Sequence, residues 1–188
     1  MTLQEVQVVF HILEQRERLI VKLAVLAGMR PGEIFALTWG DLKEDSAEVV
    51  RRVYRGDIDV PKTVQSVRKV ALSEGIIAEV SRWRALAPNV NVNAWVFPSE
   101  TLKTPIAKDN CWRRHIKPKF SAVGLAWANF QVMRRTHSSL LNGLGVQGKL
   151  VADQLGHSLD VNQNVYTQSP VELRKQAVDL LERALPVM

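Results

Sequence analysis

The sequence predicts an α+β domain, mostly helical, with a small antiparallel β-sheet. Three observations carry this. Apolar residues recur at helical spacing, as in Val6, Val9, Phe10 and Leu13. Between residues 47 and 72 the pattern changes to β-branched residues, Val49, Val50, Val53, Ile58, Val60, Val64, Val67 and Val70. Helix-opening signals then return from Ser73 onward.

The elements follow in order. Thr2-Leu3-Gln4-Glu5 has the spacing of a capping box and opens a first helix. A second helix runs from roughly Glu17 to Ala27, with Gly28 as its C′ residue. Pro31 suits the first turn of a third helix, which continues through Leu37. Arg30 therefore sits at a helix N-terminus, where backbone N–H groups favour anions. Pro61 to Val70 reads as strand, tight turn, strand, with Lys62 near the turn. Ser73 caps a helix over 74 to 86, and a loop with Pro88, Asn89, Asn91 and Asn93 follows. Asp109 caps a helix that stops before Pro118, and residues 129 to 142 form another. Ser169-Pro170-Val171-Glu172 is a capping box with proline at the first helical position, opening a last helix to about Leu185. On that helix Leu173, Ala177, Leu180, Leu181 and Ala184 share a side, whose plain reading is packing on its own domain and whose alternative is docking on another copy of the chain.

Bulk properties narrow the function. The 188 residues suit one domain with a real core, at an ordinary balance of 46% hydrophobic and 23% charged residues. A net charge of +6 points to a polyanionic partner, nucleic acid first and an anionic membrane surface second. The single cysteine, Cys111, excludes an internal disulfide and a paired-cysteine zinc site, and favours a reducing compartment. Cys111 and His115 together are too few ligands for zinc. The apolar stretch Leu19 to Met29 is interrupted by Lys22, too short to cross a bilayer and too far from Met1 for a signal peptide. It reads as a buried helix of a cytosolic protein.

Gly143, Gly145 and Gly148 spell a dinucleotide fingerprint, and Gly143 to Lys149 most of a P-loop. Both motifs need a preceding strand, whereas Arg134 to Leu141 reads as helix. Leu150 also stands where a P-loop needs Ser or Thr to hold magnesium. A glycine-rich turn between helices fits better than a nucleotide-binding site.

Four groups remain: Arg30, Lys62, Arg134 with Arg135, and the pair His157 and Tyr166. Taken singly they read as surface cations, a solvated turn lysine and a packing tyrosine. Their surroundings read Ala27-Gly28-Met29-Arg30-Pro31-Gly32-Glu33-Ile34, then Pro61-Lys62-Thr63 with Ser66, Arg68, Val70 and Leu72. There follow Val132-Met133-Arg134-Arg135-Thr136-His137-Ser138-Ser139, and Gln154-Leu155-Gly156-His157-Ser158 with Tyr166 nine positions after the histidine.

In this order and spacing the boxes resemble the catalytic domain of the tyrosine recombinase, or phage-integrase, family. The resemblance covers about residue 2 to 185 and implies that family's DNA breaking-rejoining fold. It also implies a site-specific strand-exchange enzyme. Tyr166 would attack the scissile phosphodiester, and Arg30 and Arg134 would clamp its oxygens as fixed, planar cations. Lys62 would protonate the leaving 5′-oxygen, while His157 would bond the phosphate or assist proton transfer. No metal or cofactor is implied, because the arginines supply the charge and the phosphotyrosyl link conserves the diester's energy.

One position departs from the family pattern. Gln131 stands three residues before Arg134, where histidine is usual. Glutamine can donate a hydrogen bond to phosphate or position Tyr166, but cannot act as acid or base. A positioning role at some cost in rate is one reading. A DNA-binding protein of this fold with weak or no cleavage is the alternative.

Arg113, Arg114 and Lys117, in a segment that also holds Lys108, Lys119 and Trp112, are candidate DNA contacts, as is Arg135 beside Arg134. Arg51, Arg52 and Arg55 are weaker candidates. The resemblance implies double-stranded DNA as partner, a homotetramer on DNA with a monomer in solution allowed, and no membrane. It places the protein in the cytoplasm, at the nucleoid, encoded by a bacterium or phage. Residues 1–188 read as the catalytic domain alone, without the N-terminal core-binding domain usual in the family. A fragment of a longer protein accounts for this better than a minimal single-domain branch.

Overall fold

The computed structural model describes residues 1–59, 68–156 and 171–185. Lys62, His157, Tyr166, the turn expected over 61–67, and Ser169 and Pro170 of the last capping box lie outside the described residues.

Helix α1 (Leu3–Ile12) opens on the expected capping box. Thr2 Oγ1 accepts from Glu5 N at 3.2 Å, and Glu5 Oε2 accepts from Thr2 N at 2.7 Å. Helix α2 (Gln15–Val25) is the centre of the core. Leu19, Ile20, Val21 and every residue from Leu23 to Ala27 are buried, so the apolar stretch is a core helix. It packs against α1, α4 (Glu74–Leu86) and α7 (Phe130–Gly143). Among the described residues no helix is long and apolar enough to cross a membrane.

Charge also joins α2 to α4. The buried Glu79 carboxylate meets Arg18 at 2.6 Å, Lys22 at 3.5 Å and Arg82 at 2.9 Å. Burial alone would raise its pKa, but the bond from Arg18 and the charges of Lys22, Arg18 and Arg82 outweigh it, so the group is held below the ordinary carboxylate value.

The short α3 (Pro31–Ile34) has proline in its first turn, as expected. The β region is antiparallel but divides into two ladders. Strand β1 (Ser46–Val49) pairs with β4 (Arg68–Ala71), and β2 (Arg52–Tyr54) pairs with β3 (Asp57–Asp59). Arg55 and Gly56 join β2 to β3 with positive φ at both positions, a two-residue turn whose twist matches the strands. Ser73 caps α4 through its side chain, as expected.

Two boundaries differ from the sequence expectation. Helix α3 ends at Ile34 rather than continuing through Leu37, and Ala36 N and Leu37 N donate instead to carbonyls three residues back. The helix beginning at α5 (Lys108–Cys111) does not stop before Pro118; it runs on through a π-helical turn, Trp112–Ile116, into α6 (Lys117–Ala122). Asp109 lies in its first turn, and Ala107 is the N-cap. Lys117 N donates to Trp112 O, five residues back. This wider turn shifts the carbonyls past the point where the Pro118 ring would meet them and its missing N–H would be needed.

Helix α7 is capped by Asn129, whose Oδ1 accepts from Val132 N at 3.0 Å. Gly143 ends it, and a glycine turn with Gly145 in the left-handed region leads to α8 (Gly148–Leu155), so a helix precedes these glycines. Helix α9 (Val171–Arg183) packs on β4 and α8. Its buried side holds Ala177, Val178 and Leu181, with Leu185 buried just beyond its end, while Leu180, expected to pack, is 43% exposed. Two of its acids, Asp179 and Glu182, accept from Glu74 N and Gly75 N at the start of α4. They satisfy helix donors that lack intrahelical partners.

Candidate active site

Four elements converge on a cluster of arginines. Arg30 is the N-cap of α3, and Glu33 closes a capping box around it. The Glu33 carboxylate accepts from Arg30 N at 2.8 Å and from Arg30 Nη1 at 2.9 Å. Arg68, the first residue of β4, reaches the same carboxylate with both Nη atoms, at 2.8 and 3.0 Å. Burial would raise the pKa of Glu33, but the charge and bonds of Arg68 and the bonds of Arg30 prevail, and it is lowered overall.

Arg134 arrives from the second turn of α7. Its Nη1 donates to Gly28 O, beyond the end of α2, and its Nη2 to Leu155 O, the last residue of α8. Arg30 Nη2 donates to the next carbonyl, Gly156 O, at 3.2 Å. Arg30 and Arg134 therefore grip consecutive carbonyls. Burial, then the charges of Arg30 and Arg68, push the Arg134 guanidinium down to about 10, and it remains a cation at neutral pH. The Arg30 side chain is 43% exposed, so this concentrated positive charge opens to solvent.

The support beneath the cluster is polar and buried. Gln154 Nε2 donates to Ala27 O at 3.0 Å and to Ala71 O at 2.9 Å, and its Oε1 accepts from Ala71 N at 3.1 Å. One side chain thus ties α8 to the end of α2 and to β4. His137, one turn beyond Arg134, is fully buried, with Nδ1 3.0 Å from Val25 O. A carbonyl only accepts, so Nδ1 carries the hydrogen. Burial, with a smaller contribution from the Arg134 charge, drives the His137 pKa down to about 4 and keeps the ring neutral.

The sequence model of the phage integrase family matches residues 1–172. The chain belongs to the phage integrase family. It is 26% identical over 193 aligned positions to a XerC-like tyrosine recombinase of Caldanaerobacter subterraneus, covering 88% of this chain and 49% of that protein. It is 24% identical to the ICEBs1 integrase of Bacillus subtilis, covering 85% of this chain and 48% of that one. The chain thus spans about half the length of the curated relatives it matches. Among solved structures, the integrase of transposon Tn1549, determined with circular intermediate DNA, superposes with a TM-score of 0.60 at 21% identity, covering 84% of this chain and 53% of that one. The mostly helical architecture with small antiparallel ladders is the catalytic-domain fold of this family.

In this chain the structure brings together two of the expected site residues, Arg30 and Arg134. Gln131 lies one turn before Arg134, exposed in the first turn of α7, and Arg135 is also exposed. Lys62, His157 and Tyr166 lie outside the described residues. Described residues bordering the segments of His157 and Lys62 do reach the cluster: Gly156 accepts from Arg30, and Arg68 binds Glu33. Arg113, Arg114 and Lys117 are exposed, and Arg113 donates to Asp109 O and Asn110 Oδ1 within its own helix. Trp112 packs on Phe120 and Phe130, and Lys119 pairs with Glu14 at 2.9 Å. Arg51 and Arg52 pair with Asp41 and Asp59.

Cys111 is buried, and that burial pushes its thiol up to about 12, an inert core group. No cluster of three metal-ligating side chains occurs among the described residues. Sequence reasoning assigned no role to Glu33, Arg68, Gln154 or His137. Glu33 had a signal in its capping-box spacing from Arg30. The other three act through partners distant in sequence.

Proposed function

We propose that this chain is the catalytic domain of a site-specific DNA recombinase that cleaves and rejoins strands through a 3′-phosphotyrosyl intermediate on Tyr166. The observation that carries the reading is the convergence of Arg30 and Arg134 on consecutive carbonyls, one guanidinium half-exposed and the other half-buried. A phosphodiester in attack gathers negative charge on its oxygens, and two rigid cations placed in advance stabilise that charge without reorganising.

Each remaining role follows from proton and charge needs. A tyrosine with an ordinary pKa of about 10 must give up its proton as it attacks, and the leaving 5′-oxygen must gain one. Lys62 supplies that proton, His157 bonds the phosphate or assists proton transfer, and Gln131 donates a hydrogen bond without titrating. Attack by another strand's 5′-hydroxyl reverses the sequence without ATP.

Double-stranded DNA is the partner and a homotetramer the working assembly. Residues 1–188 form the catalytic domain, and a separate core-binding domain lies outside this chain, consistent with coverage of about half of its relatives. The substrate is DNA of a mobile element, a reading supported by the likeness to the ICEBs1 integrase. Gln131 favours a second reading, in which the same fold binds DNA but cleaves poorly.

The experiment selects duplexes from a randomised pool by retention on the protein, nicks them so that cleavage releases a short fragment, and resolves the products on a denaturing gel. A covalent adduct that vanishes in Tyr166→Phe is the expected result. Salt-sensitive retention without any adduct would replace the recombinase with the non-cleaving DNA-binding protein.

A further inference from the structure

Arg68 lies outside the proposed phosphate clamp, and its surroundings are unusual for a strand residue. It opens β4, opposite Val49 of β1, yet its side chain runs to α3 and is only 10% exposed. Both its Nη atoms lie on the two oxygens of Glu33, a residue 35 positions earlier. It also lies against Gly156. A Cβ on Gly156 would fall 2.4 Å from Arg68 Nε and 2.5 Å from Arg68 Cδ, so only glycine fits there, and its φ of +65° also favours glycine.

Glu33 and Gly156 are also the two groups that hold the Arg30 guanidinium among the described residues. Arg30 Nη1 takes one oxygen of Glu33, and Arg30 Nη2 takes Gly156 O. Arg68 therefore touches both groups that hold Arg30 and competes with it for the carboxylate. Arginine and carboxylate prefer a two-point, fork-to-fork pairing. With Arg68 absent, Glu33 could be matched in that way by Arg30 alone. Arg30 would then turn onto Glu33, release Gly156 O, and spend its charge on the protein rather than on an anion.

We propose that Arg68 is a positioning residue for Arg30. By occupying both oxygens of Glu33 and packing on Gly156, it stops Arg30 from closing onto Glu33 and keeps that guanidinium available to the scissile phosphate. This rests on the recombinase reading for its consequence in catalysis, but its structural content does not. The buried position of Arg68 keeps it from the phosphate itself. The lowered pKa of Glu33 agrees with a carboxylate ionised between two cations.

The test has two arms. The first is a crystal structure of Arg68→Met, which keeps the length and removes the charge. Arg30 should shift to a two-point pairing with Glu33 and lose its bond to Gly156 O; an unmoved Arg30 overturns the proposal whatever the protein's activity. The second arm is single-turnover cleavage of the selected nicked duplex at saturating protein, for Arg68→Met and for Arg68→Met combined with Glu33→Gln. The single variant should cleave about 100-fold more slowly with little change in duplex affinity, the scale of a misplaced phosphate donor. The double variant should recover at least about 10-fold of that loss, since the competing charge is gone. A merely structural Arg68 would make the double variant no better than the single one, and that result also overturns the proposal. If the wild-type chain forms no adduct, the recombinase reading fails and the first arm still decides the role of Arg68.

Discussion

Gly28 and His137 meet so closely that no side chain fits at residue 28: a Cβ there would lie 2.8 Å from His137 Cδ2. The same Cβ would lie 2.8 Å from Leu155 Cδ2, and Gly28 has a φ of +66°. The end of α2 is thus pressed against α7 and α8 where Gly28 O holds Arg134. Gly28→Ala should lose about 3 kcal/mol, combining left-handed strain with overpacking. Urea unfolding checks this, and a midpoint equal to wild type would show that the contact relaxes freely. Because the Arg134 acceptor moves with the backbone, the variant should also slow cleavage in the fraction that remains folded.

His137 should make stability depend on pH in a window of its own. Its folded pKa of about 4 lies below the ordinary histidine value of about 6.5, so the folded state holds the neutral ring and the unfolded chain takes up the proton first. This contribution is complete above about pH 6.5 and is lost as pH falls towards 4, by about 3 kcal/mol in all. Glu33 and Glu79 are lowered instead from the carboxylate value of 4.5, so their contributions fade only below that pH. Unfolding free energies between pH 7 and 5 should fall for wild type and stay nearly level for His137→Leu. Parallel curves for the two proteins would refute the assignment to His137.

The caps and the site were legible to different degrees for a physical reason. Thr2 with Glu5, and Ser73, cap their own helices within three residues, so local spacing reveals them. Arg30 and Arg134 stood out because fixed cations beside recognisable boxes imply anion chemistry. Arg68 binds Glu33 across 35 positions and Gln154 joins Ala27 and Ala71 across 127 and 83, distances that sequence spacing does not encode. Pro118 misled because a π turn absorbs it, and Leu180 because α9 rolls Val178 inward in its place.

Gln131 bears on the pH profile of cleavage. An amide does not titrate, so wild-type cleavage should show no ionisation arising from this position. Gln131→His places an imidazole on the exposed first turn of α7, one turn before Arg134. That variant should cleave faster and add an inflection near the ordinary histidine value of about 6.5. Profiles of the two proteins that superimpose would mean that residue 131 does not approach the reacting phosphate.

The exposed cations of the π turn and α6 can be separated from the clamp by salt. Arg113, Arg114 and Lys117 are exposed, and the described contacts of Arg113 stay within its own helix. Each cation that neutralises a DNA phosphate steepens the fall of log K with log salt by about 0.9. Replacing all three with glutamine should therefore make the slope shallower by about 2 to 3 units. Phosphate contacts carry no base information, so affinity should weaken alike for selected and unselected duplexes, and the preference between them should persist. An unchanged slope, measured by titration of a labelled duplex across salt concentrations, would make this face an ordinary solvated helix surface.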